Sequence, residues 1–155
     1  MQKYIWMCVA LLLSVFVGCG GDGTKVTGKV TYEDGTPLTV GRVMFENETI
    51  SASGPIDQDG KYQLMVEEGR TGLPAGSYRV CILGAMQADS SMSEKIKKDK
   101  SSANDDEGAP MVLVIDPKFT SGTKSGLTCD VQGSSVTYDI QVEKPSKGYK
   151  PFVND

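Results

Sequence analysis

Ser135-Val136-Thr137-Tyr138-Asp139-Ile140-Gln141-Val142-Glu143 alternates without a break. Val136, Tyr138, Ile140 and Val142 fall on one side of an extended chain, and Thr137, Asp139, Gln141 and Glu143 fall on the other. A period of 2 marks a half-buried strand, whereas a helix would repeat its apolar positions every 3.6 residues. The same period recurs upstream. Val26, Gly28, Val30 and Tyr32 alternate with Thr27, Lys29 and Thr31 and run into the turn-forming Glu33-Asp34-Gly35-Thr36-Pro37. Residues 42–46 put Val43 and Phe45 on one face, and residues 50–54 read as a short partner strand. Asp57-Gln58-Asp59-Gly60 is a turn, after which Tyr62, Leu64 and Val66 alternate with Lys61, Gln63 and Met65, completing a hairpin. Strands are also expected around Tyr78, Val80 and Ile82, over 111–115, and over 126–131 with Leu127, Cys129 and Val131 in phase. The chain therefore predicts an all-β fold, a seven- to eight-stranded antiparallel β-sandwich over residues 26–143, interrupted by one long polar insertion at 85–110.

Five pieces of this sandwich together resemble a known domain. They are Val26-Thr27-Gly28-Lys29-Val30, Asp34-Gly35-Thr36-Pro37-Leu38, Val43-Met44-Phe45, Asp57-Gln58-Asp59-Gly60-Lys61-Tyr62, and Leu73-Pro74-Ala75-Gly76-Ser77-Tyr78-Arg79-Val80. In this order they are similar to the carboxypeptidase regulatory-like domain, a transthyretin-like (prealbumin-like), broadly Ig-like sandwich. Ile115-Asp116-Pro117-Lys118-Phe119 and Ser125-Gly126-Leu127-Thr128 are similar to the corresponding part of small bacterial lipoproteins that carry this domain alone. The resemblance implies no peptidase activity, because in carboxypeptidases the module is a non-catalytic accessory. Tyr78, following Ala75-Gly76-Ser77, is placed for a tyrosine-corner-like bond, with its ring in the core and its hydroxyl on nearby backbone. Immunoglobulin domains put a cysteine two residues after that tyrosine; here Val80 stands there and Cys81 follows, which argues against an immunoglobulin disulfide framework.

The first residues carry a second resemblance. Lys3 is followed by uncharged residues 4–17, and the run ends in Phe16-Val17-Gly18-Cys19-Gly20-Gly21. A bilayer-spanning helix needs about 20 apolar residues, so this shorter stretch is read as a processing signal. It resembles a bacterial lipoprotein signal peptide over residues 1–18, cut between Gly18 and Cys19, although Phe16 stands where such signals usually have Leu. The resemblance implies a diacylglycerol thioether on Cys19 and an amide-linked acyl chain such as palmitate. Two or more chains anchor stably where one does not. Gly20, in place of the Asp that favours inner-membrane retention, implies the outer membrane. Residues 19–25 then form a short lipidated tether, which keeps the domain close to the membrane.

Composition narrows the function further. Loss of the leader leaves 137 residues and takes the net charge from −4 to −5, against nucleic acid as a partner. The chain has no histidine, which removes Ser-His-Asp and Cys-His catalysis and histidine metal sites. No catalytic residue, cofactor or metal is expected, and the protein is read as a non-enzyme. Of the four cysteines, Cys8 leaves with the leader and Cys19 takes the lipid, so Cys81 and Cys129 are the candidate disulfide pair. Strand phase opposes the bond. If Tyr78, Val80 and Ile82 face the core then Cys81 faces out, while Cys129 shares the inward face of Leu127 and Val131, so free thiols are expected.

The remaining motifs have bland readings. Counting Asp57 as the first position of an EF-hand loop puts Glu68 twelfth, but Lys61 falls fifth and Tyr62 stands where glycine is needed, so a turn is expected. Residues 85–110 read as a flexible insertion open to proteases, or as a partner-docking loop with Ile96 its large aliphatic side chain. Tyr149 and Phe152 lie in the tail, residues 144–155, read as a loose terminus or a short docking segment. The whole reads as a membrane-anchored envelope lipoprotein, periplasmic or outer-surface facing, acting as a structural or protein-interaction module. The alternatives are a glycan or cell-wall binding lipoprotein, or an accessory subunit of an envelope enzyme or transporter.

Overall fold

A computed structural model describes residues 23–66, 72–89 and 111–146. In chain order its strands are β1 (Lys25–Tyr32), β2 (Arg42–Glu46), β3 (Ser51–Pro55), β4 (Lys61–Gln63), β5 (Met65–Val66) and β6 (Gly76–Leu83). They are followed by β7 (Met86–Ala88), β8 (Met111–Leu113), a single 3-10 turn (Pro117–Thr120), β9 (Leu127–Val131), β10 (Ser135–Thr137) and β11 (Ile140–Val142). The fold is an all-β sandwich. One layer runs β5-β3-β2-β6-β9, all antiparallel, and the other places β1 between β4 and the pair β10 and β11. Among the described residues no helix is long and apolar enough to cross a membrane.

The two layers are joined by one bent strand. Residues 61–66 alternate as a single strand, but β4 pairs with β1 while β5 pairs with β3, so the chain changes layers at Leu64. Gly54 lies against this bend. A Cβ there would run into the Gln63 carbonyl, so the close approach needs a residue without one. The turn that starts the strand is built by Asp57, whose Oδ1 accepts from the backbone N–H groups of Asp59 (2.9 Å) and Lys61 (2.8 Å). This side chain closing on its own backbone explains the hairpin without any ion.

The last alternating stretch differs from expectation in two ways. It is interrupted at Tyr138 and Asp139, and both of its halves run parallel to β1, so the otherwise antiparallel sandwich contains one parallel seam. The halves keep one register, Lys25 opposite Ser135 and Val30 opposite Ile140. The break comes from a side chain entering the ladder: the Lys29 N–H donates to Asp139 Oδ1 at 2.8 Å instead of to a carbonyl. Gly28 makes room at this point, because a Cβ would meet the Tyr138 carbonyl and the Tyr62 ring.

Phe45 is at the centre of the core. Its ring packs against Tyr62 (6.5 Å between centroids), Tyr78 (6.4 Å) and Tyr138 (5.8 Å, edge to face). Rings from both layers therefore interlock, a geometry worth more than the buried area alone. Each buried hydroxyl is satisfied by backbone. Tyr62 donates to the Tyr138 carbonyl at 2.6 Å, and Tyr78 donates to the Pro74 carbonyl at 2.9 Å, the tyrosine-corner arrangement expected from the sequence.

The sandwich has two distinct ends. At one, Thr24 exchanges backbone hydrogen bonds with Leu73 (2.7 and 2.9 Å), and its hydroxyl donates to the Gly133 carbonyl. At the other, Val114 N–H donates to Ala85, Tyr32 Oη donates to the Val114 carbonyl at 3.1 Å, and β7 and β8 form a two-stranded ribbon. Residues 86–88, expected within the insertion, thus belong to a strand; residues 90–110 lie outside the described residues.

Candidate functional site

Gly18 and Cys19, the expected cleavage and lipidation residues, lie outside the described residues, as do Ile96, Tyr149 and Phe152. The fold begins at Thr24, already 97% buried and bridged to Leu73. Four residues separate Cys19 from Thr24 in the sequence.

Cys81 and Cys129 are unbonded in the structure, and both are buried. Cys129 faces Tyr78 across β6 and β9 and packs in the core, whereas Cys81 points to the opposite face of the sheet. Cys81 has the outward phase expected from the sequence, yet that face is covered and the thiol is buried. Residues 117–125 fold over β6: Ser125 Oγ donates to the Val80 carbonyl at 2.6 Å, and Gly122 sits against Glu46 and Arg79. Burial raises the pKa of both thiols, with Glu46 adding to the effect on Cys81 and Asp130 on Cys129. Protonated and enclosed, they are poor nucleophiles at neutral pH. Ser125 was not legible as a structural residue in the sequence, because its hydroxyl is satisfied by strands far away along the chain.

Among the described residues no group of three or more Cys, Asp or Glu side chains could hold a metal ion. Asp57 and Asp59 are occupied locally. Asp57 caps its own turn, and Asp59 pairs with Lys61 Nζ at 3.1 Å. Asp34 has its carboxyl lowered to about 2, first by hydrogen bonds from Thr36 and then by Lys144, whose Nζ lies 3.0 Å away. This aspartate stands on the exposed turn after β1, which gives it a structural account.

An open groove of about 610 Å³ lies on the outer face of β1, β4 and β10. Its floor is Gly28 and the edge of Tyr62, and its walls carry the outward side chains of three strands. Thr27 and Lys29 come from β1, Lys61 and Gln63 from β4, with Thr137 and Asp139 opposite. Pro55, Asp57 and Met65 close one side. In the sequence Thr27, Lys29, Lys61, Gln63, Thr137 and Asp139 are the polar alternates of their strands. Registers Thr27 to Gln63, Lys29 to Lys61 and Thr27 to Thr137 bring them together across more than 100 residues of chain.

No protein-family profile matches the chain. No curated protein matches it either. Among solved structures it is similar to a DUF3823 family protein from Bacteroides ovatus, at 19% identity and a TM-score of 0.40, over 77% of this chain. The chain spans 44% of the length of that protein, less than half. A likeness of that extent assigns neither family nor activity.

Proposed function

We propose that the chain is a membrane-anchored envelope lipoprotein, lipidated on Cys19, whose sandwich is a non-catalytic interaction module of the carboxypeptidase regulatory-like, transthyretin-like type. The observation carrying this reading is the position of Thr24. The five residue-to-residue steps from Cys19 to Thr24 reach at most about 18 Å when extended, so a lipid on Cys19 would hold the Thr24 end of the sandwich against the bilayer. The opposite end, with the β7 and β8 ribbon, would then face away from the membrane towards a partner protein. Absence of histidine and the raised pKa values of Cys81 and Cys129 support a role without covalent catalysis. Metabolic labelling with a palmitate analogue, followed by fractionation, tests the anchor. Label on the wild type and release of Cys19→Ala into the soluble fraction are expected; a Cys19→Ala chain that still sediments with membranes overturns the reading.

A further inference from the structure

We propose that the groove across β1, β4 and β10 is a binding site for a neutral oligosaccharide. The inference rests on the lining of the groove and is independent of the lipid anchor. The charged residues of its lining are two of each sign, Lys29 and Lys61 with Asp57 and Asp139, and Lys61 is further paired with Asp59 beside the groove. A balanced lining offers no net field to a phosphate, a sulfated chain or a nucleic acid, and suits a ligand that carries no charge.

The groups are also held as recognition of hydroxyls requires. Asp139 is pinned by the Lys29 N–H, and Asp57 by two backbone N–H groups, each through Oδ1. Neither Oδ2 has a partner among the described residues, so each carboxylate presents a fixed free acceptor. Donors stand across from them. The Lys29 ammonium makes no ion pair among the described residues, and the Gln63 amide and the Thr27 and Thr137 hydroxyls make no intramolecular hydrogen bond there. Lys29 lies directly opposite Lys61, a like-charge pair that costs stability in an antiparallel ladder. Sugar hydroxyls both donate and accept, and so satisfy interleaved acceptors and donors. Met65, 58% exposed, and Pro55 supply an apolar rim for the C–H face of a ring. A peptide adding as a strand is disfavoured here, because β4 and β10 already occupy both edges of β1.

The full-length chain, purified in a sugar-free detergent, is titrated with maltohexaose, cellohexaose, xylohexaose and chitohexaose while backbone amide shifts are recorded. A heparin hexasaccharide and an uncharged glycine-serine peptide serve as controls. With no exposed aromatic ring among the described residues that line the groove, binding rests on hydrogen bonds, and a Kd on the order of 1 mM is expected. Saturable shifts at Lys29, Gln63 and Thr137 with at least one neutral hexasaccharide, weakened about tenfold in Lys29→Met/Gln63→Ala, support the site. Both side chains project outward, so that variant should keep its remaining spectrum; Thr137→Arg, which fills the groove, is the independent check. The proposal is overturned by silence from all four sugars at about 20 mM, twenty times that Kd. Shifts confined to another face, stronger binding of heparin or the peptide, or unaltered binding by the variants overturn it equally.

Discussion

Tyr62→Phe tests whether the aromatic core is held by the hydrogen bond that crosses it. The substitution keeps the ring against Phe45 and removes only the hydroxyl that donates to the Tyr138 carbonyl at 2.6 Å. Loss of one buried hydrogen bond that leaves its acceptor unpaired costs about 1–3 kcal/mol, so a central value near 2 kcal/mol is expected at pH 7. The same hydroxyl makes the effect depend on pH. Burial raises the Tyr62 pKa far above its ordinary value of 10.0, with smaller contributions from Cys129, Tyr138 and Asp139. Above pH 10 the unfolded chain releases this proton and the folded chain keeps it. The folded state therefore binds more protons, and stability falls as pH rises, by about 1.4 kcal/mol per pH unit for one group. Phenylalanine has no proton to lose. The wild-type advantage of about 2 kcal/mol should vanish roughly 1.5 units above pH 10. Urea unfolding followed by circular dichroism in a Cys19→Ala background, at pH 7, 9 and 11, reads both terms. Equal stability of the two proteins at pH 7, or a gap that stays constant from pH 9 to 11, refutes the reasoning.

Gly54→Ala should destabilise by more than the few tenths of a kcal/mol typical of a surface change, because its Cβ meets the Gln63 backbone at the bend between layers. A midpoint equal to wild type in the same urea assay would mean that the bend is not tight. Cys81 and Cys129 should resist an aromatic disulfide reagent in the folded protein and both react in urea, as buried thiols with raised pKa values do. Recovery of a Cys81 to Cys129 cross-linked peptide after non-reducing digestion would contradict the assigned strand register.

Alternation told faces, and did so well. Tyr78, Val80 and Ile82 point inward, Tyr78 makes its corner bond, and the Asp57 turn closes a hairpin, all for reasons local to a few residues. Partnership between strands was much less legible. Nothing in residues 61–66 marks Leu64 as the crossing between layers, because both layers demand the same period of 2. The parallel seam of β1 with β10 and β11 depends on β9 returning the chain to the end where β1 begins, a property of the whole path. The burial of Cys81 was illegible for a related reason: phase gives the side of a sheet, while the cover over that side comes from residues 117–125. The groove was hidden most completely. Its walls come from strands separated by 110 positions, and in sequence each residue is an ordinary polar alternate.

The parallel seam has a mechanical consequence. β1 is entered at residue 24 and β11 is left towards residue 146 at the other end, and the two strands lie side by side in the same direction. Tension applied between those points slides one strand along the other, so the ladder from Lys25 to Tyr32 is loaded in shear and its hydrogen bonds share the force together. An antiparallel seam pulled from one end would instead open bond by bond, like a zip. A tug along the chain must therefore break the β1 seam as a unit before the aromatic core can open.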